Sequence, residues 1–298
     1  MHQPHIITLL TDFGNQDAYV GIMKGVITGI NPSANIIDIC HNVPPQDIMS
    51  GAYLLAASYK YFPRGTIHVA VVDPGVGSGR SIVCVNIRDY LFLVPDNGLL
   101  SFVISEEKPK SIFRVTNRKY FLPSPSNTFH GRDIFAPVAA HLSLGIRPQQ
   151  LGVRNGQLNQ LDIPKPGYNK KGQLEGHIIY VDRFGNLITN ITREHFDQYS
   201  RDLIIPRNLS QSTFRKRGSK GIYREEKEKF LLCKAIETII GKKKVAGLNK
   251  TYTDVQPGEP LVLFGSAGFL EVSVNQGNAR KYFKADKGKK IIVKMWSY

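Results

Sequence analysis

Apolar residues fall in short runs through the first half of the chain, at 6–10, 35–39, 67–72, 82–85, 91–94 and 111–116. These runs have strand length and strand-type composition, and Gly, Pro, Asn and Asp bound most of them. Between them lie stretches with helical spacing. Residues 17–30 read as one helix, stopped by Asn31-Pro32. Residues 46–61 read as a second, with Ile48, Tyr53, Leu54, Ala57 and Tyr61 on one side and Phe62-Pro63-Arg64-Gly65 as its stop. A short helix is expected at 98–105 and a longer one at 129–144. Strands alternating with helices of this length predict an α/β fold, a mainly parallel sheet with helices on its faces.

The texture changes near Gly145. Residues 145–176 are rich in Gly, Pro, Asn, Gln and Lys and poor in apolar side chains, as in a surface connection. Beyond Gly176 the apolar runs are short and strand-like, at 177–181, 187–191, 261–264, 269–274 and 291–293. They predict a smaller β domain, barrel-like or a sandwich. The expected organisation is an N-terminal α/β domain over 1–160, a linker over 161–175, and a C-terminal β domain over 176–298. That last domain carries a basic insertion near 199–235, in which 224–240 has the pattern of a charged amphipathic helix.

Three of the N-terminal strands end alike. The run 6–10 leads into Thr11-Asp12-Phe13-Gly14, the run 67–72 into Asp73-Pro74-Gly75, and the run 91–94 into Pro95-Asp96-Asn97-Gly98. Each Asp-x-Gly alone is ordinary turn chemistry. If the strands are parallel neighbours, the three carboxylates meet at one sheet edge, where open α/β sheets bind ligands. Such a pocket suits sugar hydroxyls, a cation or a metal. Behind Asp73 the glycines at 75, 77 and 79 end on Arg80, so a guanidinium follows the carboxylate on a tight loop.

The net charge of +15 raises the question of nucleic acid. Its distribution answers against it. Residues 201–250 carry +9 and residues 276–298 carry +6, so the remainder sums to zero. The strand-end carboxylates lie in the neutral part. The basic insertion reads as a solvated surface, and nucleic acid is not expected as a partner. The 42% hydrophobic and 21% charged content is that of a globular protein. No run approaches a membrane span, and the apolar run at 6–10 is too short for a signal peptide. Cys40, Cys84 and Cys233 stand apart, the first two in apolar runs as buried thiols, which points to a reducing, cytoplasmic setting.

Three further constellations carry polar groups at predicted element ends. In Phe129-His130-Gly131-Arg132-Asp133 the histidine sits at a helix N-terminus, which depresses an imidazole pKa. Asp182, Phe184, Gly185 and Asn186 follow a strand and suit either a β-turn or a ligand with donors, acceptors and a ring. Gly265-Ser266-Ala267-Gly268 leads into a strand bearing Glu271, as a close-approach loop or a simple hairpin. There is no phosphate loop, no Gly-x-Gly-x-x-Gly, no zinc-type Cys or His spacing and no Gly-x-Ser-x-Gly.

Taken in order, Thr11-Asp12-Phe13-Gly14…Asp17, Asp73-Pro74-Gly75-Val76-Gly77…Arg80, Pro95-Asp96-Asn97-Gly98, Phe129-His130-Gly131-Arg132-Asp133, Asp182…Phe184-Gly185-Asn186 and Gly265-Ser266…Glu271 resemble one family. It is that of the S-adenosyl-L-methionine (SAM) hydroxide adenosyltransferases, or SAM hydrolases, relatives of the fluorinase and chlorinase. The resemblance implies hydrolysis of SAM to adenosine and L-methionine. It implies an N-terminal α/β domain, a C-terminal barrel-like domain, and a homotrimer with sites between neighbouring subunits. By matching position, Asp73, Arg80 and His130 would handle the water. Asp12 would bind the ribose diol, with Asp17 in the same loop. Asp182, Phe184 and Asn186 would surround the methionine part and the adenine. Ser266 and Glu271 would stand near the ligand. No metal or cofactor is implied, since SAM is the substrate. The alternatives are a SAM-dependent halogenase and a non-enzymatic protein binding adenosine or nucleic acid. A carboxylate at Asp73 would repel a halide and favours water.

Overall fold

The computed structural model describes residues 6–204 and 236–295. Of the basic insertion expected near 199–235, residues 205–235 lie outside the described residues. The chain divides into two compact units, Met1–Asp162 and Ile163–Tyr298.

The first unit is built on a six-stranded sheet. Its strands are β1 (Ile6–Thr11), β2 (Asn35–Cys40), β3 (Ile67–Val71), β4 (Ile82–Ile87), β5 (Tyr90–Pro95) and β6 (Ser111–Arg114). The order is β2-β1-β3-β5-β4-β6. β1 is parallel to β2 and β3, and β3 is parallel to β5. β4 runs antiparallel to both its neighbours. All five residues of β3 are buried, as expected of a central strand covered on both faces. The β4–β5 hairpin turns on Arg88 and Asp89, both at positive φ, the two-residue geometry that matches strand twist.

Helices cover both faces: α1 (Tyr19–Ile30), α2 (Ile48–Ser58), α3 (Ser101–Glu106) and α4 (Ala136–Ser143). α1 buries Val20, Met23 and Ile27, one stripe at helical spacing. Met23 and Ile27 are fully enclosed, each burial contributing about 1.5–3 kcal/mol. They pack with Ile7, Leu9, Val69, Val71 and the apolar side of α4, Ala136, Val138, Ala139, Ala140 and Leu142. α2 begins at Ile48, two residues after the expected start, and its N-cap is Asp47, whose carboxylate accepts the Ser50 N–H at 3.1 Å. α4 follows a widened π-turn at Gly131–Phe135.

The second unit is an antiparallel sheet of β7 (Gly167–Tyr168), β8 (Leu174–Val181), β9 (Leu187–Thr192), β10 (Ile236–Ile240), β11 (Lys243–Ala246), β12 (Pro260–Phe264), β13 (Phe269–Val274) and β14 (Lys290–Met295). The path is β11-β10-β14-β8-β9-β13-β12, with β7 paired to β8. The Asn249 N–H donates to the Val262 carbonyl at 2.7 Å, bringing the chain beyond β11 to β12 and nearly closing the sheet into a barrel. Two helices flank it, α5 (Arg193–Ile204) and α6 (Ala279–Phe283). The expected helix over 224–240 is corrected at its described end. Ile236, Thr238 and Ile240 alternate inward, and that period of two makes β10 a strand. Cys40 is also corrected: it is half-buried on the edge strand β2, whereas Cys84 is fully buried.

Candidate active site

β1, β3 and β5 are adjacent and parallel, so Asp12, Asp73 and Asp96 leave the sheet at the same edge. Two of the three share a cavity of about 410 Å3, lined also by Phe13, Tyr19, Gln46, Val76, Thr128, Phe129 and His130. Asp96 does not line it. Its carboxylate accepts the Asn159 N–H at 2.8 Å, and burial raises its pKa against that bond. Asp96 therefore closes a loop and has the structural role of a turn residue.

The Asp73 carboxylate is nearly buried and faces Arg80. Arg80 Nε donates to both oxygens, at 2.9 and 2.8 Å, and Nη2 donates to Oδ2 as well. The same Nη2 lies 3.0 Å from His130 Nδ1. Arg80 thus bridges two cavity-lining groups while its own side chain stays 10% exposed. Burial and the Arg80 charge depress the His130 pKa, more than Asp73 and Asp133 raise it. His130 is held neutral. Because Nδ1 accepts from Arg80, the neutral ring carries its proton on Nε2.

Local packing explains why these loops hold still. Gly77 has φ +78°, and a Cβ there would meet the Asn127 carbonyl oxygen at 2.6 Å. Only glycine lets the loop after Asp73 lie against the segment before His130. Asp133, buried in the π-turn, takes the Ser126 N–H at 2.8 Å and the Arg132 Nε at 2.6 Å. Arg132 and Ser126 outweigh its burial and hold its carboxyl below the usual range. A Cβ at Gly131 would press on Phe13 and Phe129, whose rings pack edge-on, centroids 5.8 Å apart. Tyr19 completes the trio.

Asp12 Oδ2 accepts the Gln46 N–H at 2.8 Å, from a residue at φ +63°. Asp17 is exposed on the loop before α1 and does not line the cavity. The sequence motifs contain Phe129 without marking it as a site residue, and they leave out Tyr19, Gln46 and Thr128. The aromatic members were visible beside the motifs, whereas nothing in the sequence flags the backbone of Gln46.

In the second unit, Asp182 shapes a turn. Oδ1 accepts the N–H groups of Phe184 and Asn186 at 2.9 and 2.8 Å, and Oδ2 accepts Asn186 Nδ2 at 2.8 Å. Phe184 projects from that turn, 73% exposed, while Asn186 is buried. Glu271 is buried too, its Oε1 taking the hydroxyls of Tyr252 and Ser273, each at 2.7 Å. Burial and the Glu271 carboxylate push the Tyr252 phenol upward. Ser266 is exposed on the 265–268 turn. The register places that turn and the 182–186 turn at opposite ends of the β9–β13 ladder.

Family models for the SAM hydroxide adenosyltransferase N-terminal and C-terminal domains match residues 7–152 and 176–292. The chain belongs to the SAM hydroxide adenosyltransferase family. Its relatives include the (R)-S-adenosyl-L-methionine hydrolase of Methanocaldococcus jannaschii, 34% identical over 94% of this chain and 92% of that one. The hydrolase of the same name from Thermus thermophilus is 34% identical over 92% and 94%. A fluorinase from an Actinoplanes species is 29% identical over 65% and 74%. A crystal structure of an uncharacterized conserved protein from Thermotoga maritima superposes with a TM-score of 0.81 at 35% identity, covering 96% of this chain and 99% of that one. Both SAM hydroxide adenosyltransferase domains are thus present, and the Asp73–Arg80–His130 cluster lies within the first. Among the described residues no helix is long and apolar enough to cross a membrane.

Proposed function

We propose that the protein hydrolyses SAM to adenosine and L-methionine by attack of a water-derived oxygen at C5′. The observation that carries this reading is the hydrogen-bonded Asp73–Arg80–His130 unit at the cavity wall. A C5′–O bond forms and the C5′–S bond breaks. The electron pair goes to sulfur, which leaves as a neutral thioether, so no general acid is required. The water gives up one proton overall, which passes to solvent as the hydroxide forms. The difficulty is hydroxide, which is scarce at neutral pH. Fixed positive charge and aimed donors favour it in a dry site. Arg80 supplies the charge. Neutral His130 offers Nε2–H as a donor to the oxygen, since its Nδ1 is occupied. Asp73 holds Arg80 in place.

Asp12 binds the ribose diol in this reading, with Asp17 nearby. Asp182, Phe184, Asn186, Ser266 and Glu271 serve the methionine and adenine ends from the second domain. The oligomer is a homotrimer, each site formed between the N-terminal domain of one subunit and the C-terminal domain of its neighbour. The setting is cytoplasmic, and no metal or cofactor takes part. Halide as nucleophile is the weaker reading, because the cavity presents a carboxylate at Asp73.

The test is turnover of SAM in oxygen-18 water with mass analysis of the products. Label in the adenosine 5′-hydroxyl supports attack at C5′. A chloride-dependent 5′-halogenated product in place of labelled adenosine would move the assignment to a halogenase. Tight binding of SAM without turnover would make the protein a binding module.

A further inference from the structure

We infer that His41 is a positioning residue for the ribose end of the site. With Asp38 and Thr11 it fixes the turn that presents Asp12. The inference rests on the reading of the cavity as the SAM site.

At the end of β1 the chain must leave the sheet and turn Asp12 into the cavity. The residues on both sides of Asp12 are gripped by one imidazole and its backbone. His41 Nδ1 lies 2.9 Å from Thr11 Oγ1. The Phe13 N–H donates to that same Oγ1 at 3.3 Å. The His41 carbonyl accepts the Gly14 N–H at 2.8 Å. Farther out, His41 Nε2 is 3.0 Å from Asp38 Oδ1, and Lys24 Nζ donates to Asp38 Oδ2 at 2.6 Å.

Burial pushes the Asp38 carboxyl up, but Lys24 and His41 together hold it below the usual range, so it is ionised and only accepts. His41 Nε2 faces that carboxylate, and its Nδ1 is hydrogen-bonded to the Thr11 hydroxyl, which also accepts the Phe13 N–H. The imidazole thus ties Thr11 to Asp38 and, through Asp38, to Lys24.

The loop that follows His41 supplies the remaining hold. Gln46 donates its N–H to Asp12 Oδ2, which leaves Oδ1 to a ligand. Thr11 is fully buried and His41 nearly so, and neither lines the cavity. Their effect on the substrate therefore passes through the geometry of Asp12.

Thr11→Val keeps the shape and removes the hydroxyl, and Thr11→Ser keeps the hydroxyl. Calorimetry with adenosine and 2′-deoxyadenosine reads the diol contact directly. In the wild type adenosine is expected to bind about tenfold more tightly, the worth of a charge-assisted hydrogen bond. Thr11→Val should weaken adenosine about tenfold while changing 2′-deoxyadenosine little, and Thr11→Ser should restore the preference. A folded Thr11→Val protein that keeps the wild-type preference, or that weakens both ligands equally, overturns the inference. Hydrogen exchange gives a readout independent of substrate. The amides of Phe13 and Gln46 should lose protection in Thr11→Val while those of Ile7–Leu10 keep theirs, and unchanged protection at Phe13 and Gln46 also overturns it. If wild-type protein binds neither nucleoside, the SAM reading fails, and exchange alone decides the positioning role. Should Thr11→Val not fold, His41→Gln carries the same measurements, keeping an amide N–H for Asp38 and removing the ring nitrogen that faces Thr11.

Discussion

Arg80 Nη2 stands 3.0 Å from His130 Nδ1, and this single contact fixes the histidine's tautomer. A guanidinium has no acceptor, so Nδ1 must accept and the ring proton must sit on Nε2. The histidine is therefore a donor toward whatever lies at its other nitrogen. Asp73, Arg80 and His130 form a line in which charge is fixed at the centre and a neutral N–H is offered at the end.

That line makes arginine irreplaceable by lysine. One ammonium cannot engage both oxygens of Asp73 and also reach Nδ1 of His130. Arg80→Lys is expected to lower kcat by a factor on the order of 100 or more, in the range for loss of an oxyanion-type donor arrangement. The rate of labelled adenosine formation measures it. A lysine variant with near wild-type kcat would show that charge alone suffices.

The same geometry sets a pH dependence. Burial first, and then the Arg80 charge, depress the His130 pKa below its ordinary value of 6.5. Protonation at Nδ1 would displace Arg80, so the neutral ring is the working form. The acid limb of kcat/KM is expected below pH 6.5, and His130→Gln should remove it. The sign for stability agrees. The unfolded chain takes up this proton at a higher pH than the folded one, so stability rises with pH across the window from the depressed value to 6.5. A limb centred at or above 6.5 would contradict the arrangement.

Much of the first unit was legible because its strands are buried and uniform. The runs around β1, β3 and β5 stand out by composition alone, and their shared Asp-x-Gly exits marked the edge where the cavity lies. Pattern could not separate Asp12 and Asp73, which line the cavity, from Asp96, which closes a loop on Asn159. That distinction depends on a residue 63 positions away. The Arg88-Asp89 hairpin was also invisible as such, since both positive-φ positions lack the usual Asn or Gly. In the second unit, the 224–240 pattern reads as a charged amphipathic helix. At its described end the buried period of two decides for β10.

Gly77 is held tightly against the segment before His130. A Cβ there would stand 2.6 Å from a backbone oxygen of Asn127, at a φ of +78° that disfavours side chains. Gly77→Ala should cost about 1–3 kcal/mol in stability. It should also separate Asp73 and Arg80 from His130, lowering kcat more than it raises KM. Gly79→Ala is the control, since its Cβ meets nothing within 4 Å and its φ is ordinary. Chemical denaturation and steady-state kinetics on the pair check both parts. Equal behaviour of the two variants would mean that the loop yields freely.

His68 makes the sharpest stability prediction. It is the second residue of β3, fully buried, with Nδ1 2.8 Å from Thr8 Oγ1. Tyr59, Phe62, Tyr90 and Phe92 surround its ring, with centroids 5.1–6.2 Å away. Burial alone pushes its pKa down to about 3. The folded protein therefore refuses a proton that the unfolded chain accepts from pH 6.5 downward. Stability must fall as pH drops through that window, by roughly 1.4 kcal/mol per pH unit, or about 2 kcal/mol between pH 6.5 and 5. His68→Phe fits the aromatic surroundings but leaves the Thr8 hydroxyl without its partner, so its absolute stability should be lower at neutral pH. The informative quantity is the slope. Denaturation free energies at several pH values should fall more gently for the variant than for the wild type, and the two curves should converge toward acid. Parallel curves would mean that His68 takes its proton at the same pH in the folded and unfolded chain, which a ring enclosed in this way cannot do.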